Sequence, residues 1–227
     1  MDTEEFYRDI LDGLGRYLEH ALLADLLHTI KRCDAPALGN AWNKNQVEGK
    51  RWLLSELYRT LGGEFNTVYV LGGWYGVLSA MLLHDQRFAA TGQVFSFDLD
   101  PDCQRVAEHL NRHHVDRKRF AAVTRDMNQL NYDNDEINVA GERRSLCPGL
   151  VINTSCEHIR DFDLWFRAIP EGMPLVLQSN DYYSLDEHVN CVPDVETFIQ
   201  QAPMSRLMFN GVLQMKRYRR FMLIGYK

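Results

Sequence analysis

From residue 67 onward, short apolar runs rich in β-branched and aromatic residues alternate with helix-like stretches, and this alternation limits the folds open to the chain. Runs that are apolar throughout suit parallel strands covered on both faces. The strands predicted in this way are 67–71, 93–99, 121–124, 150–153 and 174–178. Residues 207–213 and 220–226 predict two further strands joined by a short basic turn. We therefore expect an α/β fold with a Rossmann-like, mostly parallel sheet and an antiparallel C-terminal hairpin.

The first 61 residues lack this alternation and carry apolar residues at helical spacing. The first helix is predicted from the stripe Phe6, Ile10, Leu11, Leu14, Tyr17, Leu18, Ala21, Leu22, Leu26 and Leu27. A second helix is expected to begin near Asn45 and to end at Gly62-Gly63, because glycine often terminates helices. We predict an N-terminal helical lid or cap over 1–61 and a Rossmann-like domain over 62–227. Residues 131–147 are polar and are expected to form an irregular surface loop.

Composition argues against several classes of partner. The formal net charge of −6 disfavours nucleic acid, whose phosphates require a basic surface. The basic run 216–220 is interpreted as a solvated strand edge or turn rather than a phosphate site. No apolar run is long enough to span a bilayer, and the acidic N-terminus does not resemble an export signal. With five scattered cysteines and no C-x-x-C pair, we expect reduced thiols in the cytoplasm. The sequence leaves a homodimer open.

A glycine-rich segment follows the first predicted strand. Glycines at that point let the backbone turn sharply and approach a ligand closely. The spacing is G-G-x-x-G, so a strict dinucleotide-binding G-x-G-x-x-G motif is absent, and a plain strand-to-helix turn is the alternative. The candidate cofactor-binding residues of this segment are Gly72, Gly73, Trp74, Tyr75 and Gly76.

Acidic residues follow the next two strands. A carboxylate at the end of the second strand can accept hydrogen bonds from ribose hydroxyls, and Asp98 is the candidate. Asp100 precedes Pro101 and is interpreted as a helix N-cap. Asp126 and Met127 end the third strand, where an acid could bind an adenine amino group and an apolar side chain could cover the ring.

With these motifs the chain resembles the class I SAM-dependent methyltransferase superfamily over roughly residues 45–227. The matching positions are Gly72, Gly73, Gly76, Asp98, Asp126-Met127 and Asn153. The resemblance implies that S-adenosylmethionine (SAM) binds with the glycine loop beside its methionine part and with Asp98 on the ribose. Two departures stand out: the loop has no acid at its start, and the fourth strand lacks the N/D-P-P-Y/F motif. Methylation of nucleobases is therefore disfavoured.

Polar residues crowd the end of the fourth strand, where the reactive sulfonium is expected. Asn153 is a candidate for holding the substrate or the SAM amino group, and Glu157 or His158 for the general base. The alternative is that Thr154, Ser155 and Glu157 cap the next helix. After the fifth strand, Tyr182 could face the sulfonium through a cation–π contact or could anchor the loop.

Three further readings of these segments stay open. Cys156, His158, His188 and Cys191 could form a metal site, but C-x-H…H-x-x-C is not a standard zinc spacing, so no metal is predicted. Cys156 could instead be the nucleophile of a hydrolase. In the N-terminal segment, Asn45 or Gln46 could hold the SAM carboxylate with Lys50 pairing to it, or the segment could be a capped, solvated helix start.

The preferred function is methyl transfer from SAM to a small molecule. The alternative is an enzyme of the same fold that cyclises SAM or transfers its aminobutyrate arm, releasing methylthioadenosine. A third hypothesis is an idle fold that binds SAM or a protein partner without catalysis.

Overall fold

The computed structural model describes residues 13–14, 20–139 and 141–227. The predicted first-helix positions Phe6, Ile10, Leu11, Tyr17 and Leu18 lie outside the described residues. The strands are β1 Thr67–Leu71, β2 Gln93–Asp98, β3 Phe120–Thr124, β4 Asp135–Val139, β5 Glu142–Leu146, β6 Leu150–Asn153, β7 Pro174–Asn180, β8 Arg206–Gln214 and β9 Arg219–Tyr226. The described α-helices are α1 Ala21–Arg32, α2 Leu38–Ala41, α3 Lys44–Leu61, α4 Val77–His84, α5 Pro101–Leu110, α6 Arg112–Val115, α7 Phe162–Ala168 and α8 Val195–Gln201. Short 3-10 helices span Gln86–Phe88, Met127–Gln129 and Cys156–His158.

Seven strands form one sheet in the order β3-β2-β1-β6-β7-β9-β8. The pairs β3-β2, β2-β1, β1-β6 and β6-β7 are parallel, and β9 runs antiparallel to both β7 and β8. The predicted parallel sheet with an antiparallel C-terminal hairpin is confirmed. Strand order reverses between β1 and β6, so a crevice opens at their carboxyl ends.

Both faces of the sheet are covered, so the strand residues that point to either face are apolar. In β1, Tyr69 and Leu71 belong to one buried cluster, whereas Val68 and Val70 belong to the cluster on the opposite face. Leu53, Leu57 and other buried residues of α3 and α4 pack on the second face. This two-sided burial explains why the strands read as continuous apolar runs rather than alternating ones.

The prediction of an irregular loop over 131–147 is wrong. Residues of β4 and β5 pair as an antiparallel hairpin, separate from the main sheet. Asp135 and Ile137 are buried while Glu136 and Asn138 are exposed, which is the alternation of a half-buried strand. Most residues of this hairpin are polar, so composition alone predicts a surface loop.

The N-terminal helices contact different parts of the sheet domain. Asp25 of α1 accepts hydrogen bonds from Arg112 and from the backbone of His113, so α1 packs beside α5 and α6. The start of α3 borders the crevice instead. The division into a lid over 1–61 and a domain over 62–227 remains a prediction. Within the described ranges, no helix has the length and hydropathy needed to cross a membrane.

Candidate active site

A cleft of about 780 Å³ opens at the carboxyl ends of the central strands. It is lined by most of the predicted site residues, namely Asn45, Gln46, Gly72, Gly73, Trp74, Tyr75, Asp98, Met127, Glu157, His158 and Tyr182. Three predicted residues lie outside this lining: Gly76, Asp126 and Asn153. The strand ends therefore bring together side chains that are far apart in the sequence.

The glycine loop approaches its neighbours too closely for side chains. Gly72 has φ +61°, and a Cβ on Gly73 would lie 1.9 Å from Ser96 Oγ. The Gly73 amide donates to Phe97 O over 2.9 Å, which holds the loop against the end of β2. Trp74 also has a positive φ, of 48°, and its ring stacks on Tyr75 at 5.2 Å between centroids. Gly72 and Gly73 thus allow the loop to pack closely on Ser155 and Ser96, and the loop lines the cleft together with a pair of aromatic rings.

Asp98 is fastened to the loop as well as facing the cleft. Its Oδ2 accepts the backbone amide of Trp74 over 2.7 Å, and its Oδ1 accepts the amide of Asp100 over 3.1 Å. Each carboxylate oxygen keeps a further lone pair for a ligand hydroxyl. Asp100 accepts the amide of Asp102 over 2.9 Å as the N-cap of α5, which confirms its predicted capping role.

The end of β3 presents Met127 to the cleft but not Asp126. The Asp126 carboxylate caps the following 3-10 helix by accepting the amide of Asn128 over 2.8 Å. Asn153 is fully buried beneath the cleft. It donates to Met127 Sδ over 3.5 Å and accepts the amide of Ser155 over 2.9 Å. Asn153 is therefore placed to position the side chain of Met127 and the turn after β6.

Glu157 is held by a residue that the sequence analysis did not single out. Asn180, at the end of β7, donates through Nδ2 to Glu157 Oε1 over 2.5 Å, and its Oδ1 accepts the amide of Tyr182 over 2.9 Å. Glu157 is 3 % exposed, and its Oε2 has no hydrogen-bond partner among the described residues. The alternative capping role of Thr154, Ser155 and Glu157 is not observed, since no side chain caps the helices that follow.

Two histidine rings stand beside this carboxylate. The rings of His158 and His188 contact edge to face, with centroids 4.7 Å apart. His188 also packs edge to face on Tyr182 at 5.9 Å, and Tyr182 packs against Tyr218 at 5.4 Å. Together with Glu157, the two histidines form a group whose ligand atoms all lie within 4.8 Å of one another.

The cysteine alternatives do not fit this geometry. Cys156 is fully buried, and burial holds the pKa of its thiol well above the usual value, so it is not an activated nucleophile. Its Sγ contacts the carbonyl of Asn153 at 3.8 Å rather than joining the histidines. Cys191 lies 3.7 Å from His188 Nδ1, and burial raises the pKa of its thiol to about 11.

Lys50 and Arg220 add positive charge to the cleft wall. Lys50 Nζ donates to Gln46 Oε1 over 2.6 Å, and burial together with nearby Arg220 lowers the pKa of Lys50 to about 7. Arg220 is 8 % exposed, and its Nε has no hydrogen-bond partner among the described residues. Neither cation forms an ion pair with a described carboxylate. The interpretation of 216–220 as a solvated strand edge or turn is thus wrong for Arg220, which is buried and packs against Gly49.

The start of α3 is both a capped helix start and part of the cleft lining, the two alternatives that the sequence left open. Asn43 is its N-cap and accepts the amide of Gln46 over 2.9 Å, so the helix start is capped. Asn45 and Gln46 nevertheless line the cleft.

The sheet order, its single antiparallel strand β9 and the position of the cleft define the class I SAM-dependent methyltransferase fold, as the sequence motifs predicted. No protein-family model and no curated protein matches the sequence of the chain.

Several solved structures resemble this chain in fold. N-methyltransferase NodS from Bradyrhizobium japonicum WM9, in complex with S-adenosyl-L-homocysteine, superposes with a TM-score of 0.55 at 14% identity, over 89% of this chain and 96% of that one. The cyclase SpnF gives 0.60 at 12% identity, covering 82% and 83%. Magnesium protoporphyrin IX methyltransferase from Synechocystis PCC 6803, with bound SAM, gives 0.50 at 14% identity, covering 100% and 98%. At such identities the likeness establishes the fold.

Proposed function

We propose that this protein is an enzyme that transfers the methyl group of SAM to a small molecule. The observation that carries the proposal is the coupling of the glycine loop to Asp98 at the reversal point of the sheet. Because Gly72 and Gly73 have no side chains, the loop packs closely against Ser155 and Ser96 while its backbone lines the cleft, and Asp98 keeps oxygen lone pairs beside it. This combination fits a nucleoside carrying an amino-acid arm.

The residues proposed to hold SAM follow from their positions in the cleft. Gly72 and Gly73 would lie along the methionine part, Asp98 on the ribose and Met127 against the adenine. Lys50, with Asn45 and Gln46, is proposed for the carboxylate, since this lysine lacks an acidic partner. SAM supplies an electrophilic methyl group when bound.

The other side of the cleft is proposed to serve the acceptor. Methyl transfer requires an acceptor lone pair in line with the methyl group and removal of the acceptor proton. Glu157 Oε2 is a candidate to take that proton because it is buried and has no other partner among the described residues. His158 and Tyr182 would orient the acceptor from the rim.

Thermal unfolding with and without SAM or S-adenosylhomocysteine tests cofactor binding. We expect both ligands to raise the midpoint, and Asp98→Ala to abolish the shift, because a ligand that binds only the native state stabilises it. His158→Ala is expected to keep the shift and to lose activity on an identified acceptor. If neither ligand stabilises the wild-type protein, the SAM assignment is wrong and the idle-fold hypothesis gains.

A second candidate, SAM cleavage without methyl transfer, is favoured by the stacked Trp74 and Tyr75 rings in the cleft, which could hold a folded SAM. Incubation of purified protein with SAM alone separates the two candidates. Methylthioadenosine formed without an acceptor supports the second, while stable SAM under the same conditions counts against cyclisation of SAM.

A further inference from the structure

The acceptor side of the cleft carries three ligand-type side chains from two separate segments. Glu157 and His158 belong to the 3-10 helix after β6, and His188 belongs to the loop after β7. One nitrogen or oxygen atom from each lies within 4.8 Å of the other two. We propose that Glu157, His158 and His188 form a binding site for a divalent transition-metal ion.

The buried carboxylate of Glu157 is the first argument. Its Oε1 is satisfied by Asn180 Nδ2, but its Oε2 is buried with no partner among the described residues. No described lysine or arginine forms an ion pair with it. A buried charge without a counter-charge is strongly destabilising. A bound cation would supply the missing charge, and Asn180 would orient the ligating carboxylate.

The orientation of the two rings is the second argument. His158 Nδ1 lies 3.0 Å from Glu187 O, and His188 Nδ1 lies 2.7 Å from Tyr182 O. A carbonyl oxygen only accepts, so each Nδ1 must carry the ring proton. In the neutral rings, Nε2 then holds a lone pair. Metal-bound histidines commonly have one nitrogen fixed by a carbonyl while the other ligates the ion.

The same contacts disfavour an ordinary carboxylate–histidine pair. The Nδ1 protons are directed to backbone carbonyls, and neither ring forms an ion pair with Glu157 within 4.0 Å. The ligand atoms of the three groups thus lie within 4.8 Å of one another without an ion pair between them. The sequence analysis predicted no metal because C-x-H…H-x-x-C is not a standard zinc spacing. In the structure, Glu157 rather than a cysteine stands beside the two histidines.

Two imidazoles and one carboxylate suit iron(II), zinc or manganese(II) more than magnesium or calcium. All three side chains line the cleft, so coordination positions remain open toward it. An oxygen or nitrogen of the acceptor could occupy such a position, and the ion would lower the pKa of a bound hydroxyl. This refinement rests on the proposed function and favours an acceptor that chelates through its hydroxyl and a second donor atom. With the ion bound, Glu157 acts as a ligand instead of as the general base: the hydroxyl proton passes to solvent, the oxygen lone pair forms the bond to the methyl carbon, and the C–S electron pair stays on sulfur.

Metal binding is tested on the full chain, dialysed against EDTA, by calorimetric titration with Zn²⁺ and Mn²⁺ in the absence of SAM. We expect one ion per chain. Co²⁺ serves as a second probe, since its visible absorption bands report nitrogen and oxygen ligation. His188→Ala and Glu157→Gln should each weaken binding by more than about 100-fold, and Asn180→Ala by about 10- to 100-fold as a positioning residue.

His109→Ala is the matched control, because His109 pairs with His28 outside the cleft and should leave the titration unchanged. Thermal unfolding establishes that each variant folds, and His188→Asn provides a conservative replacement if His188→Ala does not. Absence of stoichiometric binding to the wild type, or binding that survives both His188→Ala and Glu157→Gln, overturns the metal site. Stabilisation by SAM in the metal-free protein would show that the proposed function stands even if the metal site fails.

Discussion

Asp98 Oδ2 and the backbone nitrogen of Trp74 lie 2.7 Å apart, so the acid at the end of β2 braces the glycine loop after β1. One carboxylate thus links the two segments that the sequence predicted to bind a nucleoside. Its role is both structural and ligand-facing, which makes its replacement informative.

Replacing Asp98 with asparagine should weaken SAM binding by about 10- to 100-fold, since charge-assisted hydrogen bonds contribute roughly 1.5–3 kcal/mol. Asparagine retains an oxygen for the Trp74 amide but loses the charge. Isothermal titration measures the affinity. Asp100→Asn is the control, because asparagine also caps helices and Asp100 is committed to α5. Equal losses in the two variants would contradict the assignment of Asp98.

Gly73→Ala should displace the loop, because the new Cβ would lie 1.9 Å from Ser96 Oγ and 3.2 Å from Ser96 Cβ. We expect a loss of stability of about 1–3 kcal/mol and weaker SAM binding. Adding Ser96→Ala removes the nearer atom and should restore much of both. Chemical denaturation and titration provide the measurements, with Gly39→Ala as a control because no neighbour lies within 4 Å of its Cβ. If the double variant regained neither stability nor SAM binding, the contact with Ser96 would not explain the effect of Gly73→Ala.

Lys50 should make SAM binding depend on pH. The pKa of Lys50 is lowered to about 7, so the lysine loses its charge as the pH rises through that value. A carboxylate that pairs with Lys50 should therefore bind about 10-fold more weakly at pH 9 than at pH 6, an effect of roughly 1.4 kcal/mol. The affinity of the Lys50→Gln variant for SAM should not show this dependence on pH. The Arg51→Gln variant, changed on the exposed side of the same helix, should keep it. If wild type and Lys50→Gln show the same pH profile, Lys50 and Arg220 are left to bind an anionic group of the acceptor.

His114 should make the protein lose stability in mild acid. It is 3 % exposed, and neither ring nitrogen has a hydrogen-bond partner among the described residues. Burial, followed by the nearby His84, lowers the pKa of His114 from 6.5 to about 4. The unfolded chain takes up this proton below pH 6.5 and the folded protein only near pH 4, so stability falls across that window by at most about 3 kcal/mol.

Urea denaturation between pH 4 and 8 measures this loss. His114→Phe keeps a ring but cannot titrate, so its acid-side loss should be smaller, with little cost at pH 8 because two unpaired polar atoms are removed. His113→Phe is the comparison, and its acid-side loss should match that of the wild type. Parallel profiles for wild type and His114→Phe would show that other groups govern the acid transition.

Local pattern predicted the elements that carry the site. Apolar runs indicated the strands, and Gly72, Gly73 and Asp98 were found from their places at strand ends. The hairpin of β4 and β5 was missed because its buried positions include Asp135, which reads as polar in sequence. Arg220 was misjudged for a related reason, since its neighbours in sequence are exposed while the arginine itself is packed under α3.

The sequence by itself determined the α/β class, the positions of the seven main-sheet strands and the loop-plus-acid pair, because periodicity and glycine spacing report local burial and local turns. Only the tertiary structure decided which strand ends meet. The contacts of Glu157 with Asn180, and of His158 with His188, join segments about 20 to 30 residues apart through the parallel pairing of β6 and β7. That pairing depends on how the whole sheet buries its two faces, and no short stretch of sequence encodes it. The sequence predicted that Asp98 and the glycine loop lie close together, and the fold decided that Asp98 accepts the hydrogen bond of the Trp74 amide.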